Sequence, residues 1–338
     1  MRFTRIALAP IAALALVAAA CGPDTAEAPV VVENAAVLHY AYQPGNSLSY
    51  EVTQGVSMTM EASGDAAVAG LTDTTMDMST TSQIDYSFAE GPSPDLTEVT
   101  ITTTLLGGGA TMTTAGRTQT VPLSQLEGQV AGTMVLIVDP QGRLVEASMD
   151  GQALPTELLE NMDSMLGQSV SQPQHIGPEF PEEPIGVGST WTTEQTTNLF
   201  GLSITQRGNH AVVGEETVQG RTTLKIDSTI TTEATRIDVM DLFEELVDSG
   251  MAAQSGMSPD ELEMTRSMFR SMGIDMVVRL DDSRTDMTTW FDPADGIVVK
   301  SVLGGPMSMT MHMGGMPDVG DIEMVMDMFM DQSMELAG

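Results

Sequence analysis

Apolar and polar residues alternate along most of the chain, which is the pattern of β-strands that bury one face. Many of these runs are rich in Thr, whose β-branched side chain suits an exposed sheet surface. Strands are predicted in the first half at 37–42, 49–53, 56–62, 71–88, 95–106, 110–120, 133–138 and 143–148, and in the second half at 190–198, 202–213, 222–232, 276–280, 286–291, 297–303 and 307–313. The pattern predicts a mainly β protein built of antiparallel sheets.

Other stretches have helical signals and predict several helices among the strands. One helix is expected to begin near Pro155, and another to cover Val239–Met251. A third is predicted over Ser258–Met272, because Ser258 can cap it and Glu261 completes a capping box. The predicted fold class is therefore α+β, although strands dominate.

The end of the chain also predicts a helix, over residues 321–336. Its acidic residues recur every four positions, which would place them along one stripe of a helix. These residues are Glu323, Asp327, Asp331 and Glu335. Four methionines, Met324, Met326, Met328 and Met330, lie between them.

The order of these elements predicts two similar sheet-plus-helix halves, 36–170 and 188–338. Residues 171–187 contain four prolines and are interpreted as a linker between the halves. The second half would hold a helical insertion at 238–273 and the terminal acidic helix. The alternative is that the two halves are unrelated and share only common turn chemistry, such as the Asp-Pro turns at 139–142 and 292–296.

Charge limits the partners that the chain can have. It carries 47 acidic and 13 basic residues, for a net charge of −34. Such a protein repels phosphate backbones, so nucleic acid is excluded as a partner. The single cysteine excludes an intramolecular disulfide and a multi-cysteine metal site.

That cysteine ends an N-terminal segment with targeting features. Arg2 and Arg5 precede an apolar run, Ile6–Ala20, which is too short to span a membrane comfortably. The segment up to Cys21 resembles the lipobox of bacterial lipoproteins, although Ala18 stands where that pattern usually has Leu. The alternative is an ordinary cleaved signal peptide with a stray cysteine.

This resemblance implies that residues 1–20 are a lipoprotein signal peptide and that a lipidated Cys21 is the membrane anchor. Residues 21–35 would then be a flexible tether, and the protein would lie in a bacterial cell envelope. Gly22 in place of Asp resembles sorting to the outer membrane, facing the periplasm, if the source is Gram-negative.

A second resemblance concerns the middle of the chain. The run from Phe180 to Trp191, FPEEPIGVGSTW, resembles a family of uncharacterised bacterial secreted lipoproteins with a Pro-x-x-Pro-Val-Gly-x-Gly-x-x-Trp signature. Ile185 takes the Val position, and the family implies no particular activity. More loosely, a lipid-anchored sheet wrapped around helices resembles the half-barrel lipid-carrier lipoproteins of bacterial envelopes.

Methionine supplies the candidate chemistry. Four methionines share one face of the predicted strand 307–313, whereas His312 faces the other way. They are Met307, Met309, Met311 and Met313, and Met58 and Met60 repeat the Met-x-Met spacing. Three interpretations remain open: a Cu(I) site of thioethers, with His312 as a further candidate ligand; an apolar ligand cavity; and ordinary core packing.

Trp191 and Trp290 are predicted to be core or cavity-wall residues. No catalytic motif and no cofactor-binding motif stands out, so we expect a protein that is not an enzyme. The leading hypothesis is an envelope lipoprotein that binds or carries an apolar, lipid-like ligand. The alternatives are a Cu(I)-binding lipoprotein and a structural envelope protein without a small ligand.

Overall fold

A computed structural model describes most of the strand-rich part of the chain. The described residues are 33–38, 40, 44–64, 73–93, 95–122, 132–138, 144–149, 151–153, 178–199, 202–238, 264, 267, 275–314 and 321–337. They form seventeen β-strands. In chain order these are β1 (Glu33–Ala36), β2 (Ser47–Gly64), β3 (Thr74–Glu90), β4 (Thr97–Thr114), β5 (Arg117–Pro122), β6 (Gly132–Val138), β7 (Leu144–Met149), β8 (Gln152–Ala153), β9 (Ile185–Val187), β10 (Thr190–Leu199), β11 (Leu202–Val218), β12 (Arg221–Thr232), β13 (Thr235–Asp238), β14 (Asp275–Leu280), β15 (Ser283–Asp292), β16 (Ile297–Gly314) and β17 (Ile322–Leu336).

Fifteen of these strands form one antiparallel sheet. Its main path runs β10-β11-β12-β15-β16-β17-β2-β3-β4-β6-β7-β8. The short pair β13–β14 joins the sheet through β16, and β5 joins it through β4. Strands β1 and β9 pair separately. The last strand of the chain is therefore central, because β17 pairs with β16 on one side and with β2 on the other.

The sheet has one buried face and one polar face. In β2, Tyr50 and Val52 are buried, whereas Thr59 and Glu61 on the alternate positions are exposed. Directly opposed residues of an antiparallel pair lie on the same face, so the strand register extends this assignment across the sheet. We call the face that carries Tyr50 and Val52 the inner face, and the opposite face the outer face.

A core cluster covers one end of the inner face. Tyr50, Val52, Ile226, Phe291 and Met334 belong to this cluster, although they come from both halves of the chain. The Tyr50 hydroxyl donates a hydrogen bond to the Val298 carbonyl at 2.9 Å. Burial raises the pKa of Tyr50 far above its usual value, so the phenol stays protonated as a donor.

The mid-chain signature closes this end of the inner face. The Phe180 ring lies 4.7 Å from Phe291 and 5.0 Å from Tyr40, measured between ring centroids. Strand β9, which the signature also supplies, pairs with β1, and Gly188 takes a positive φ of 91° at the following turn. Residues 178–187 therefore pack against the core, and they include the second part of the predicted linker.

The predicted terminal helix is wrong, because Ile322–Leu336 forms strand β17. A four-residue acidic repeat also satisfies a period of two, and the even positions of this segment are almost all apolar. Val325 and Phe329 on the polar face obscured the alternation.

The predicted α+β fold class is also wrong, because the described residues form strands and no helix with defined bounds. The mainly β, half-barrel-like description fits this architecture. The helices expected near Pro155 and over 239–251 lie outside the described residues, as does nearly all of 258–272. In the described part of the chain, no helix is long and apolar enough to cross a membrane.

Candidate ligand-binding face

Methionines occupy the inner face at the end that lies away from the core cluster. Strands β16 and β17 contribute four each, β2 and β3 contribute two each, and β4 and β14 contribute one each. We call this set the methionine field. It consists of Met307, Met309, Met311 and Met313; Met324, Met326, Met328 and Met330; Met58 and Met60; Met76 and Met78; Met112; and Met276.

Strand register aligns these methionines in rows across the sheet. One row crosses five adjacent strands, in the order Met307, Met328, Met58, Met76 and Met112. The next row places Met309, Met326 and Met60 side by side. Opposed residues of an antiparallel pair have Cα atoms about 4.5–5.5 Å apart. The thioethers of neighbouring strands are therefore close enough to touch one another or a shared ligand.

The field is uncharged, although the chain is strongly acidic. Within the field, the described inner-face positions of β16, β17, β2 and β3 carry no Asp, Glu, Lys or Arg. On the outer face, by contrast, the matching row reads Ser308, Asp327, Thr59, Thr75 and Thr113. Ser308 donates a hydrogen bond to the Asp327 carboxylate at 2.7 Å. The same strands thus present apolar side chains on the inner face and polar or charged side chains on the outer face.

Methionine is concentrated at this end of the face. The buried residues of the two core clusters are Val, Ile, Leu, Ala, Tyr and Phe, with Met334 as the one methionine among these described positions. A chain that simply used Met in place of Leu would show it in the core as well. The methionine field therefore differs in composition from the two core clusters.

The field is half-exposed. Met307 is 43% exposed and Met112 is 37% exposed, and the methionines between them on β17, β2 and β3 are partly buried. Two cavities lined by described residues lie elsewhere. One of about 360 Å³ is bounded by Arg221 and Asp295, and one of about 600 Å³ lies where β10, β11 and β12 meet. The methionine side chains of the field are thus partly accessible to solvent.

The structure brings together most of the predicted methionines. Met307, Met309, Met311 and Met313 share the inner face with Met58 and Met60, from the other half of the chain. His312 lies on the outer face, opposite Glu323. The β17 methionines lie in the segment predicted as a helix, so the sequence pattern does not place them in the field; the unbroken run of apolar residues at even positions 322–330 is the signal that indicates it. Cys21 lies outside the described residues.

The two predicted tryptophans lie on opposite faces. Trp191 is on the inner face at the closed end, where its ring stacks on His210 with centroids 5.0 Å apart. Trp290 is on the outer face, where the ammonium groups of Lys225 and Lys300 lie 5.5 and 5.7 Å from its ring centroid. Its indole N–H donates to Glu216 at 2.7 Å. Neither tryptophan lies in the methionine field.

His210 is a buried histidine held between two hydroxyls. Its Nδ1 is 2.8 Å from the Ser228 hydroxyl and its Nε2 is 3.0 Å from the Thr193 hydroxyl. The residue is only 4% exposed, and burial lowers the pKa of His210 to about 4. An imidazole that stays neutral at pH 7 accepts one of these bonds and donates the other. We therefore assign His210 a structural role.

His210 is expected to make the protein less stable as the pH falls from about 6.5 to about 4. Because the unfolded histidine has a pKa near 6.5, His210 binds a proton in this pH range in the unfolded state but not in the folded state. The loss of unfolding free energy should reach about 3 kcal/mol near pH 4. Urea unfolding at several pH values would measure it against His210→Gln, which keeps polar partners for Ser228 and Thr193 but does not titrate. Equal pH slopes for the two proteins would contradict the assignment.

Comparisons with known proteins give only weak likenesses. No protein-family model and no curated protein matches the sequence. Among solved structures, the chain is similar to lipovitellin, described for its lipid–protein interactions, with 9% identity and a TM-score of 0.37. That match covers 88% of this chain and 26% of lipovitellin, so the chain spans about a quarter of that protein's length.

Two bacterial structures show still lower similarity. An outer membrane channel from Pseudomonas putida F1 is 8% identical, with a TM-score of 0.22, over 88% of this chain and 98% of the channel. A domain assigned to an outer membrane lipoprotein-sorting protein of Vibrio parahaemolyticus is 9% identical, with a TM-score of 0.12, over 85% of this chain and 83% of that one. These scores are too low to establish a shared fold, and the resemblance to a family with the mid-chain signature stays a prediction.

Proposed function

We propose that this protein binds an apolar, lipid-like ligand on the methionine field and that it catalyses no reaction. In this proposal the chain is an envelope lipoprotein held to a bacterial membrane by lipid on Cys21. The observation that carries the proposal is the half-exposed, uncharged methionine field in a protein of net charge −34. Large apolar surfaces that stay accessible on a soluble domain are typical of binding sites.

The energetics favour an occupant of this surface. Each Å² of apolar area removed from water contributes roughly 25 cal/mol, so an acyl chain lying along several rows of thioethers would be held firmly. Methionine is unbranched and flexible, and it therefore fits chains of varied shape better than Val or Ile. This property explains why the open end of the face uses Met, whereas the closed core uses branched and aromatic side chains.

The charges favour a particular orientation of the ligand. Because the field carries no cation, it offers no partner for a phosphate or carboxylate headgroup. We infer that the apolar part of the ligand lies on the field and that any charged headgroup stays in solvent. The ligand class is therefore acyl chains or comparably apolar molecules, and not a specific charged lipid.

Native mass spectrometry of the chain lacking residues 1–21, exported behind a cleavable signal peptide and purified from a bacterial periplasm, tests the proposal. The chain lacking residues 1–21 retains every described strand and has no anchor lipid of its own. Bound species of a few hundred daltons that organic solvent releases would support the proposal and identify the ligand. A clean mass without adducts, together with no binding of a fluorescent fatty acid, would overturn it and would leave the structural-protein hypothesis.

Met58→Asp is expected to lower the affinity for a fluorescent fatty acid at least tenfold. The substitution places a carboxylate in the middle of the five-strand methionine row, where apolar ligand would have to desolvate it. Thr59→Asp is the matched control, because Thr59 is the next residue on the same strand and lies exposed on the outer face. Titration of both variants, with circular dichroism to verify folding, makes the comparison. Equal affinities would contradict a binding site on the field.

A further inference from the structure

The methionine field contains a compact grid of thioethers from three adjacent strands. Met58 and Met60 of β2 oppose Met328 and Met326 of β17, and on the other side of β17 these oppose Met307 and Met309 of β16. The grid has two rows and three columns, and all six side chains lie on the inner face. We call these six residues the thioether grid.

We propose that the thioether grid binds Cu(I), with the square formed by Met58, Met60, Met326 and Met328 as its centre. Thioether sulfur is a soft, neutral ligand that selects Cu(I) over harder ions. A single Met-x-Met strand could not supply the ligands alone, because same-face residues along a strand are about 6.6 Å apart. Strand pairing removes this obstacle by adding methionines at the shorter cross-strand spacing of about 4.5–5.5 Å.

The side chains of the grid can converge on one ion. Methionine has three rotatable bonds, so the sulfurs of opposed residues such as Met58 and Met328 can approach a common point above the sheet. The grid is also accessible, since its described residues are partly buried or exposed and Met307 is 43% exposed. An ion can therefore enter from solvent without opening the core.

The charge distribution suits a soft monovalent cation. The grid itself carries no carboxylate, which would favour hard divalent ions, while the outer face of the same strands carries Asp327 and Glu61. A net charge of −34 raises the concentration of cations around the molecule. His312 takes no part, because it lies on the outer face.

The choice of methionine at these positions agrees with a need for sulfur. An apolar surface alone could be built from Leu, Ile or Val, as the core clusters of this chain are. At the grid, all six positions are methionine. Exchange of Met for Leu preserves volume and apolarity but removes the ligand atom. The same exchange therefore tests whether Cu(I) binding needs the sulfur atoms.

The test uses the full chain, purified anaerobically in detergent micelles, and Cu(I) in competition with a chromophoric Cu(I) chelator. We expect wild type to withdraw Cu(I) from the chelator, and the variant with Leu at 58, 60, 326 and 328 to lose at least tenfold in affinity. X-ray absorption of the wild-type complex should show sulfur ligands only. Met287→Leu/Met334→Leu, which changes buried methionines outside the grid, should bind Cu(I) like wild type.

Each result has a defined meaning. Three results would each overturn the Cu(I) site. These are failure of wild type to compete with the chelator, oxygen or nitrogen ligands in the X-ray spectrum, and wild-type affinity for Cu(I) in the four-leucine variant. If the four-leucine variant fails to fold, Met307→Leu/Met309→Leu, at the edge of the grid, replaces it and should weaken Cu(I) binding. Wild-type affinity of this double variant for Cu(I) would also overturn the site. Chelator competition and X-ray absorption report Cu(I) alone, whereas titration of wild type with a fluorescent fatty acid reports the apolar ligand alone, so failure of the Cu(I) site and failure of the proposed function are distinguished.

Discussion

Deleting residues 321–338 is expected to abolish folding of the whole sheet and not only of its last strand. The deletion removes β17, which pairs over its full length with β16 and with β2. It would separate the strands of the first half from those of the second half along the main path of the sheet. It would also leave two long edges unpaired, each bordered by methionines, and such edges associate with other chains. Gel filtration and circular dichroism should show aggregated or unfolded protein.

A single backbone change tests the same point without shortening the chain. Asp327→Pro removes one donor from a strand that is paired on both sides, and proline is essentially confined to sheet edges and bulges. We expect a loss of unfolding free energy of about 1–3 kcal/mol, because the ladder loses a hydrogen bond and its acceptor is left unpaired. Asp327→Thr keeps the backbone N–H and should cost little. Cooperative unfolding of Asp327→Pro at the wild-type temperature would show that β17 is not a central strand.

The position of β17 shows where sequence patterns stop being informative. Acidic residues spaced by four are compatible with a helix and with a strand, because four is close to one helical turn and is also a multiple of two. The methionines at even positions 324–330 decide for a strand, yet Phe329 and Val325 interrupt the polar face. Local pattern was therefore ambiguous, and pairing with β16 and β2 decides the outcome.

The methionine field was predictable in part. Alternation along 307–313 correctly placed four methionines on one face and His312 on the other. The sequence contains no information on which distant strands would lie beside them. Met328 opposes Met307 of the preceding strand, but that Met58 opposes Met328 follows from a register set between strands about 270 positions apart. A site assembled from rows across a sheet becomes visible only when the pairing is known.

The tryptophans illustrate a second limit. Trp290 and Phe291 are adjacent apolar residues, so alternation alone cannot say which of them faces inward. The pairing of β15 with β16 is irregular between these two residues, and Phe291 is buried while Trp290 lies beneath two lysines on the outer face. Phe291 is stabilised by packing in the core, and Trp290 by contact with the two ammonium groups.

Phe291→Ala is expected to lower the free energy of unfolding by about 3–5 kcal/mol. Phe291 is completely buried, and its ring contacts Phe180 at 4.7 Å and Tyr40 at 5.4 Å between centroids. The substitution would open a cavity where segment 178–187 meets the sheet. The two aromatic rings around it come from separate segments of the chain, so the surroundings cannot easily collapse to fill it. Urea unfolding followed by fluorescence measures the change.

Trp290→Ala is the matched control, since the neighbouring ring lies on the other face. Its partners there are Lys225, Lys300 and Glu216 at the protein surface. Cation–π contacts at exposed sites contribute about 0.5–1 kcal/mol each, so we expect a much smaller loss than for Phe291→Ala. Trp290→Ala should also leave fatty-acid binding unchanged, because the residue does not share a face with the methionine field. If the two alanine variants were equally destabilised, or if Trp290→Ala abolished ligand binding, the assignment of inner and outer faces would have to be reversed at this strand.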